Sequence, residues 1–518
     1  MQAHFSKTVL FSAVASLMVA TASASDITLS SNDGIFSLSG ELIEFDGSSY
    51  LLKSALGQVR IEATAVVCSG DDCPDLSAFN RNFMVAGVHP LGKKLLPMLL
   101  EDFVTGAGLQ TAAEGAGSVA LHDTAGEVSA VVTLGSGEAS DGFAALADGT
   151  AALTVSMRQA SGQEVSMIDD AGFGNISSVE QHFVLAMDGL VILVSPDNPV
   201  NSLTIEQVGN VFSGKITNWS EVGGPDAAIS VYLQSESTSD SEFFRSEVLA
   251  QTGGDLTRSA SVVYNNGGIS EKVVGDVFGI GFSSFANKGA AKMVSLEGGC
   301  GVLSIPTELS IKTEEYPLSR RLSVYYPDRV LPDIANDLIA YLGTDAAQIP
   351  VAQAGYVSLN VEQKAVNDLG LRFANAILSD NDEISRADLA KMAKLLVGAN
   401  RISTTFRFIE GTSTLDSRAK RDVERLIGWL SGQNLTNKEI YLVGFTDNNG
   451  KSNVNMALAE QRAQQVLDEM TANAPTELLD GLNIKIVGLG EVSPMACSAA
   501  PSGRFVNRRV EVWISGEN

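Results

Sequence analysis

The stretch "GFTDNNGKSNVNMALAEQRAQ", residues 444–464, decides how the C-terminal quarter of this chain is read. It follows the apolar run "EIYLVGF", which predicts a strand. An Asn-Asn-Gly turn comes next, with Asp447 at its start. Ala459, Ala463, Val466, Leu467 and Met470 then recur at helical spacing and predict a helix with one apolar stripe. Asn455 and Arg462 are seven apart, so they share one helix face with Leu458 between them. The strand end therefore supplies a carboxylate, and the helix an amide and a guanidinium. Such a rim suits a zwitterionic ligand: Asp447 takes an ammonium and Arg462 holds a carboxylate bidentately. Local pattern alone leaves a second reading open, in which Asp447 caps the loop and Arg462 pairs with Asp447 or Glu460.

Outward from this stretch, residues 400–518 alternate strand and helix. "ISTTFRFI", "LNIKIVGLG" and "RRVEVWIS" read as strands, and Val423, Leu426, Ile427 and Leu430 stripe a further helix. The ordered set "TD…G…N..LA..RA..V", then "GLGE..P" and "NRRVEVW", together with upstream "TTFRF..GTSTLD", resembles the OmpA C-terminal domain family. The resemblance implies a βαβαββ fold that binds the diaminopimelate stem peptide of peptidoglycan. It places the gripping Asp and Arg on Asp447 and Arg462. Asn455, Thr446, Asn507 and Arg508 match neighbouring family positions. Ala459 stands where the family often has Ser, which leaves the charged pair intact.

Residues 80–358 alternate strand-like runs such as "NFMVAG" and "GLVILVS" with helical stretches, which indicates α/β architecture. "LTIEQVGNVFSG" carries a Thr204–Gln207 capping box and a Gly214 stop. In "LGKKLLPMLLEDF", Pro97 predicts a kink or a late helix start. "SPDNPVNSLTIEQVGNVFSGKITNWSEVGGP", "IGFSSFA" and "AGYVSL" resemble phosphate-type periplasmic binding proteins of ABC importers. That family implies two α/β lobes with an oxyanion between them, held by helix N-termini, hydroxyls and Arg. Three loops align with its ligand loops. "AGVHPLG" offers only His89, since Val88 and Pro90 lack hydroxyls. "VSMRQ" keeps Ser156 and Arg158. "LQSESTSDSEFF" offers Ser237, Thr238 and Ser239, but has Gln234 for the usual Arg, Ser239 for Gly and Asp240 for the final Thr. A lost cation and a gained anion predict weak or altered oxyanion binding.

Residues 26–77 hold short alternating runs and predict a small β domain, with Cys68 and Cys73 of "VCSGDDCP" as a local disulfide. Cys300 and Cys497 either pair across domains or stay as thiols. Residues 359–399 read as a helical connector. Residues 1–24, with Lys7, the apolar "TVLFSAVASLMVATA" and Ala22-Ser23-Ala24, predict a signal peptide and export to the periplasm. No Cys follows that cleavage site, so no lipid anchor is expected. The formal charge is 35 − 61 = −26, which disfavours nucleic acid and anionic membrane faces as partners.

The expectation is a multidomain α/β and α+β protein: a small N-terminal β domain, a two-lobed binding-protein-like domain and an OmpA-like domain. No nucleophile–base pair, metal cluster or cofactor loop can be assembled, so a non-catalytic protein without cofactor is expected. Its partners would be peptidoglycan and, through the middle domain, a small oxyanion or other envelope proteins. It would lie on the peptidoglycan and outer-membrane side of the periplasm. The alternative is a wall-tethered ABC-type receptor for phosphate or a related oxyanion.

Overall fold

The computed structural model describes residues 26–516, apart from 32–34, 46–48, 71, 75–81, 88–90, 92–93, 114–116, 136, 235–237, 265–267, 366–369, 371–374, 377–383, 410–411 and 500. The signal segment expected at 1–24 lies outside the described residues. The chain divides into two compact units, with the division after residue 80.

In the first unit, alternation of apolar and polar residues produces five antiparallel strands. They are Asp26–Ser31, Ser37–Phe45, Ser49–Ser54, Gly57–Glu62 and Val66–Ser69, with the last paired on the first. One face buries Ile27, Leu29, Tyr50, Leu52 and Val66. So small a core contributes little at about 1.5–3 kcal/mol per buried side chain. The Cys68–Cys73 disulfide is present and ties the last strand to the segment beyond it.

The second unit begins with two α/β lobes, each around its own core. Both share the 13-residue strand His182–Val194. Every residue after His182 in it is buried, as its near-continuous apolar sequence requires of a strand covered on both faces. Its first half pairs with Ser319–Tyr325, which leads into the lobe of Leu153–Ser156, Phe83–Ala86 and Val128–Leu134. Its second half pairs with Gly279–Ser284, which leads through parallel pairing to Ser230–Gln234 and Ser261–Val263. The helix around Pro97 starts late, at Leu95, and spans Leu95–Gly106. That start puts the proline in the first turn, where its missing N–H breaks no helical bond. The Thr204–Gln207 box caps Ile205–Phe212, and Gly214 follows with φ of 76°.

The C-terminal sheet runs Gln363–Ala365, Asn400–Phe406, Arg509–Ile514, Glu439–Phe445, Asn483–Gly488. Helices Ser417–Ser431 and Ser452–Asn473 cover it. The second helix lies so close to the sheet that a Cβ on Gly444 would stand 1.9 Å from the Ala459 carbonyl oxygen. Only glycine fits there, and this contact sets the angle at which the helix leaves the Asp447 turn. The 359–399 stretch, read as a helical connector, adds one short strand to its helix among the described residues. It opens with edge strand Gln363–Ala365, because pairing with Asn400–Phe406 satisfies its backbone. The helix Arg386–Leu396 comes after it.

Lobe and C-terminal domain are bound together twice. Cys300 and Cys497 form a disulfide, which resolves the choice left open by sequence. A buried ionic network supplements it. Arg401 and Glu315 pair bidentately, and Arg321 bridges Glu314 and Asp416. Arg418 reaches Glu314 at 3.2 Å. Glu314 has φ of 56°, a backbone region costly for a side chain of its shape. The arginines around its carboxylate hold it there.

Candidate functional site

The Asp447 turn and the Ser452–Asn473 helix bring most of the expected C-terminal residues together. Thr446 donates its backbone N–H to Gly490, which seats the turn against the "GLGE" segment. Asp447 is buried, accepts from the Asn449 N–H at 3.0 Å, and pairs with Arg508 at 3.0 Å. The Asp447–Arg462 and Glu460–Arg462 pairs of the alternative reading do not form. Arg462 is 5% exposed and has no ion pair among the described residues. Its Nε and Nη1 have no hydrogen-bond partner, and its guanidinium lies 5.5 Å from the Phe408 ring centroid. Burial lowers the Arg462 pKa, and nearby Arg508 lowers it further, against the pull of Asp447. The Nδ2 of Asn455 and the Oγ1 of Thr446 are also buried without partners.

Two buried residues that the sequence reading did not single out follow Gly490 in the chain. Glu491 is 4% exposed, and neither carboxylate oxygen has a partner. It follows Gly490, whose Cβ would lie 3.4 Å from the Asn455 carbonyl carbon. Ser493 Oγ is likewise unpartnered. The "GLGE..P" motif was the available signal for Glu491. Asn507 does not join the site. Its amide is spent on Met495, Ala496 and Ser498, so it fixes the loop that carries Cys497.

The arrangement has a clear chemical meaning. A guanidinium taken out of water without a carboxylate is costly. Such groups, with an amide and a hydroxyl beside them, complement a ligand carboxylate. The Asp447 carboxylate complements an ammonium.

The interlobe cleft is arranged differently. His89 and Ser237 lie outside the described residues. Ser156 donates to the Arg158 carbonyl oxygen at 2.7 Å. The Arg158 guanidinium is held by Glu164 at 2.7 and 2.8 Å, which raises its pKa. Glu242, from the third loop, also raises the Arg158 pKa. Thr238 caps the short helix Ser239–Phe244. Asp240, expected to repel an anion, is buried against Arg320 at 2.5 Å. Arg320 also binds Asp188 through Nε and Nη2, and Ser284 donates to Asp188. Arg320 comes from a residue 132 positions beyond Asp188, and no local pattern marks that pair. Gln234 Nε2, Ser283 Oγ and Arg320 Nη1 remain as buried, unpartnered donors.

A PBP superfamily domain matches residues 80–346, and the OmpA family matches residues 407–508. The phosphate-binding protein PstS of Staphylococcus saprophyticus is 28% identical over 237 residues, which cover 44% of this chain and 71% of that protein. Among staphylococcal phosphate-binding proteins the chain spans 56–71% of the relative's length. An ABC-type phosphate transport receptor from Vibrio cholerae superposes with a TM-score of 0.42 at 23% identity, covering 53% of this chain and 99% of that one. The peptidoglycan-associated lipoprotein from Burkholderia pseudomallei does so with a TM-score of 0.19 at 20% identity, over 21% of this chain and 89% of that one.

Proposed function

We propose, from the premise that this chain belongs to the PBP superfamily and ends in an OmpA family domain, that it is a non-catalytic protein held on peptidoglycan by residues 400–518. The ligand is the zwitterionic end of a diaminopimelate stem peptide, which carries an ammonium and a carboxylate on one carbon. Arg462 takes the carboxylate, with Asn455 and Thr446 as donors beside it. Asp447, shared with Arg508, faces the ammonium. The observation that carries this reading is the buried Arg462 guanidinium without an ion pair among the described residues. Residues 1–24 export the chain to the periplasm, and the middle domain acts there as a scaffold or partner-binding module.

The test is sedimentation with purified sacculi. Wild type should pellet, and Arg462→Ala and Asp447→Ala should stay in the supernatant while keeping native circular dichroism. Equal pelleting of all three proteins would remove the anchor reading.

A second reading, a wall-tethered oxyanion receptor, is favoured by one observation. Gln234 and Ser283 place unpartnered donors on neighbouring strands that lead to the cleft. Calorimetry with phosphate and sulfate tests it, and heat at micromolar ligand would favour the receptor.

A further inference from the structure

We propose that the two lobes are latched on a carboxylate of the chain itself, Glu138, so that the cleft is occupied from within. Glu138 is the N-cap of helix Ala139–Ala147, in the lobe built on Phe83–Ala86 and Leu153–Ser156. Its backbone N–H donates to the Asp141 carboxylate at 2.9 Å, and its own side chain faces the Asp141 N–H in a capping box. The same carboxylate crosses to the other lobe. It accepts from Ser239 Oγ at 3.1 Å, in the first turn of Ser239–Phe244. A carboxylate thus lies where a helix start from each lobe converges, and it contacts a loop that sequence aligned with an anion seat.

Among the described residues, the arginines around this bridge are already paired, and Arg320 keeps one nitrogen, Nη1, without a hydrogen-bond partner. Arg158 is committed to Glu164. Arg320 is committed to Asp188 and Asp240. A phosphate entering here would face the Glu138 and Glu242 carboxylates while Arg158 and Arg320 are shared with carboxylates of the chain, and repulsion between like charges in a partly dry cleft is strong. Tethering adds to the effect. A group fixed to the chain competes at an effective concentration in the millimolar range or above. The external anion must therefore displace a ligand that never diffuses away.

Calorimetric titration of the full chain with inorganic phosphate tests the latch, with Glu138→Gln and Ser239→Ala beside wild type. Gln keeps the shape of the cap and removes the charge. Ser239→Ala cuts the crossing bond and leaves the cap in place. The expected result is no phosphate heat for wild type and, for Glu138→Gln, an affinity at least about tenfold tighter, the factor that 1.4 kcal/mol gives. Ser239→Ala should lie between. Wild type and Glu138→Gln behaving alike, whether both bind phosphate or neither does, would overturn the proposal. Retention on sacculi should be the same in all three proteins, so failure of the latch and failure of the peptidoglycan reading are separate outcomes.

Discussion

At the C-terminal site Arg462 is buried without an ion pair among the described residues, whereas in the interlobe cleft Arg320 carries two carboxylates and Arg158 carries one. Both regions pack guanidinium groups among polar side chains. They differ in who neutralises the charge. In the cleft the chain supplies a carboxylate to each of these arginines, and Gln234 Nε2, Ser283 Oγ and Arg320 Nη1 are donors left open. At the C-terminal site the chain leaves the Arg462 guanidinium and the Glu491 carboxylate without hydrogen-bond partners at several atoms, which costs folding free energy. A buried charge is thus informative through its partners more than through its presence.

The tie between these regions gives the largest expected effect. Replacing Cys300 and Cys497 with serine releases a closure of 197 residues, worth about 5 kcal/mol in the chain-entropy account. Denaturant unfolding of the variant should then resolve two transitions, against an expected single one for the parent. A single transition in the variant would mean that the ionic network alone couples the domains. Next comes Arg320→Ala, which strands Asp188 and Asp240 and should cost about 4 kcal/mol. A loss below about 1 kcal/mol, the range of exposed pairs, would contradict the self-neutralised cleft.

Acid sharpens the picture at the interdomain network. Burial alone would raise the Glu314 pKa, but Arg321, Arg418 and Arg407 bring it down from 4.5 to about 2. A carboxylate depressed on folding contributes stability above its unfolded pKa and loses it as pH falls through the folded one. The loss should therefore run from pH 4.5 down to about 2, with a limit of about 3 kcal/mol. Glu314→Gln should flatten that part of the stability–pH curve, as read by urea midpoints. The smallest effect has the opposite sign. Arg462→Met removes an unpartnered buried cation and should leave stability unchanged or raise it by about 1 kcal/mol, while abolishing retention on sacculi. Thermal unfolding checks this, and a clear destabilisation would mean that Arg462 serves the fold.

Much of the architecture was legible from periodicity. The apolar stripes of Ser417–Ser431 and Ser452–Asn473, the strand before Asp447 and the capping box at Thr204 all lie within a dozen residues of sequence. Asn455 and Arg462 share a face because helical geometry demands it. The edge strand in the connector was not legible because three residues have no period to detect. Asn507 was placed at the site by motif, but its amide turns inward to serve the Cys497 loop.

The sequence by itself determined the order of domains, the Asp447 turn and the loss of cationic and hydroxyl groups from the anion loops. Tertiary structure alone decided which charges meet. Arg508 lies 61 residues from Asp447, Ser239 lies 101 from Glu138, and Cys497 lies 197 from Cys300. Local rules fix backbone conformation over one or two turns. Ion pairing depends on distances of a few ångströms between segments that only the folded sheet brings together. That is why Asp240 looked like a repulsive intruder in the sequence and proves to be the partner of Arg320, while Arg462 is buried without an ion pair among the described residues.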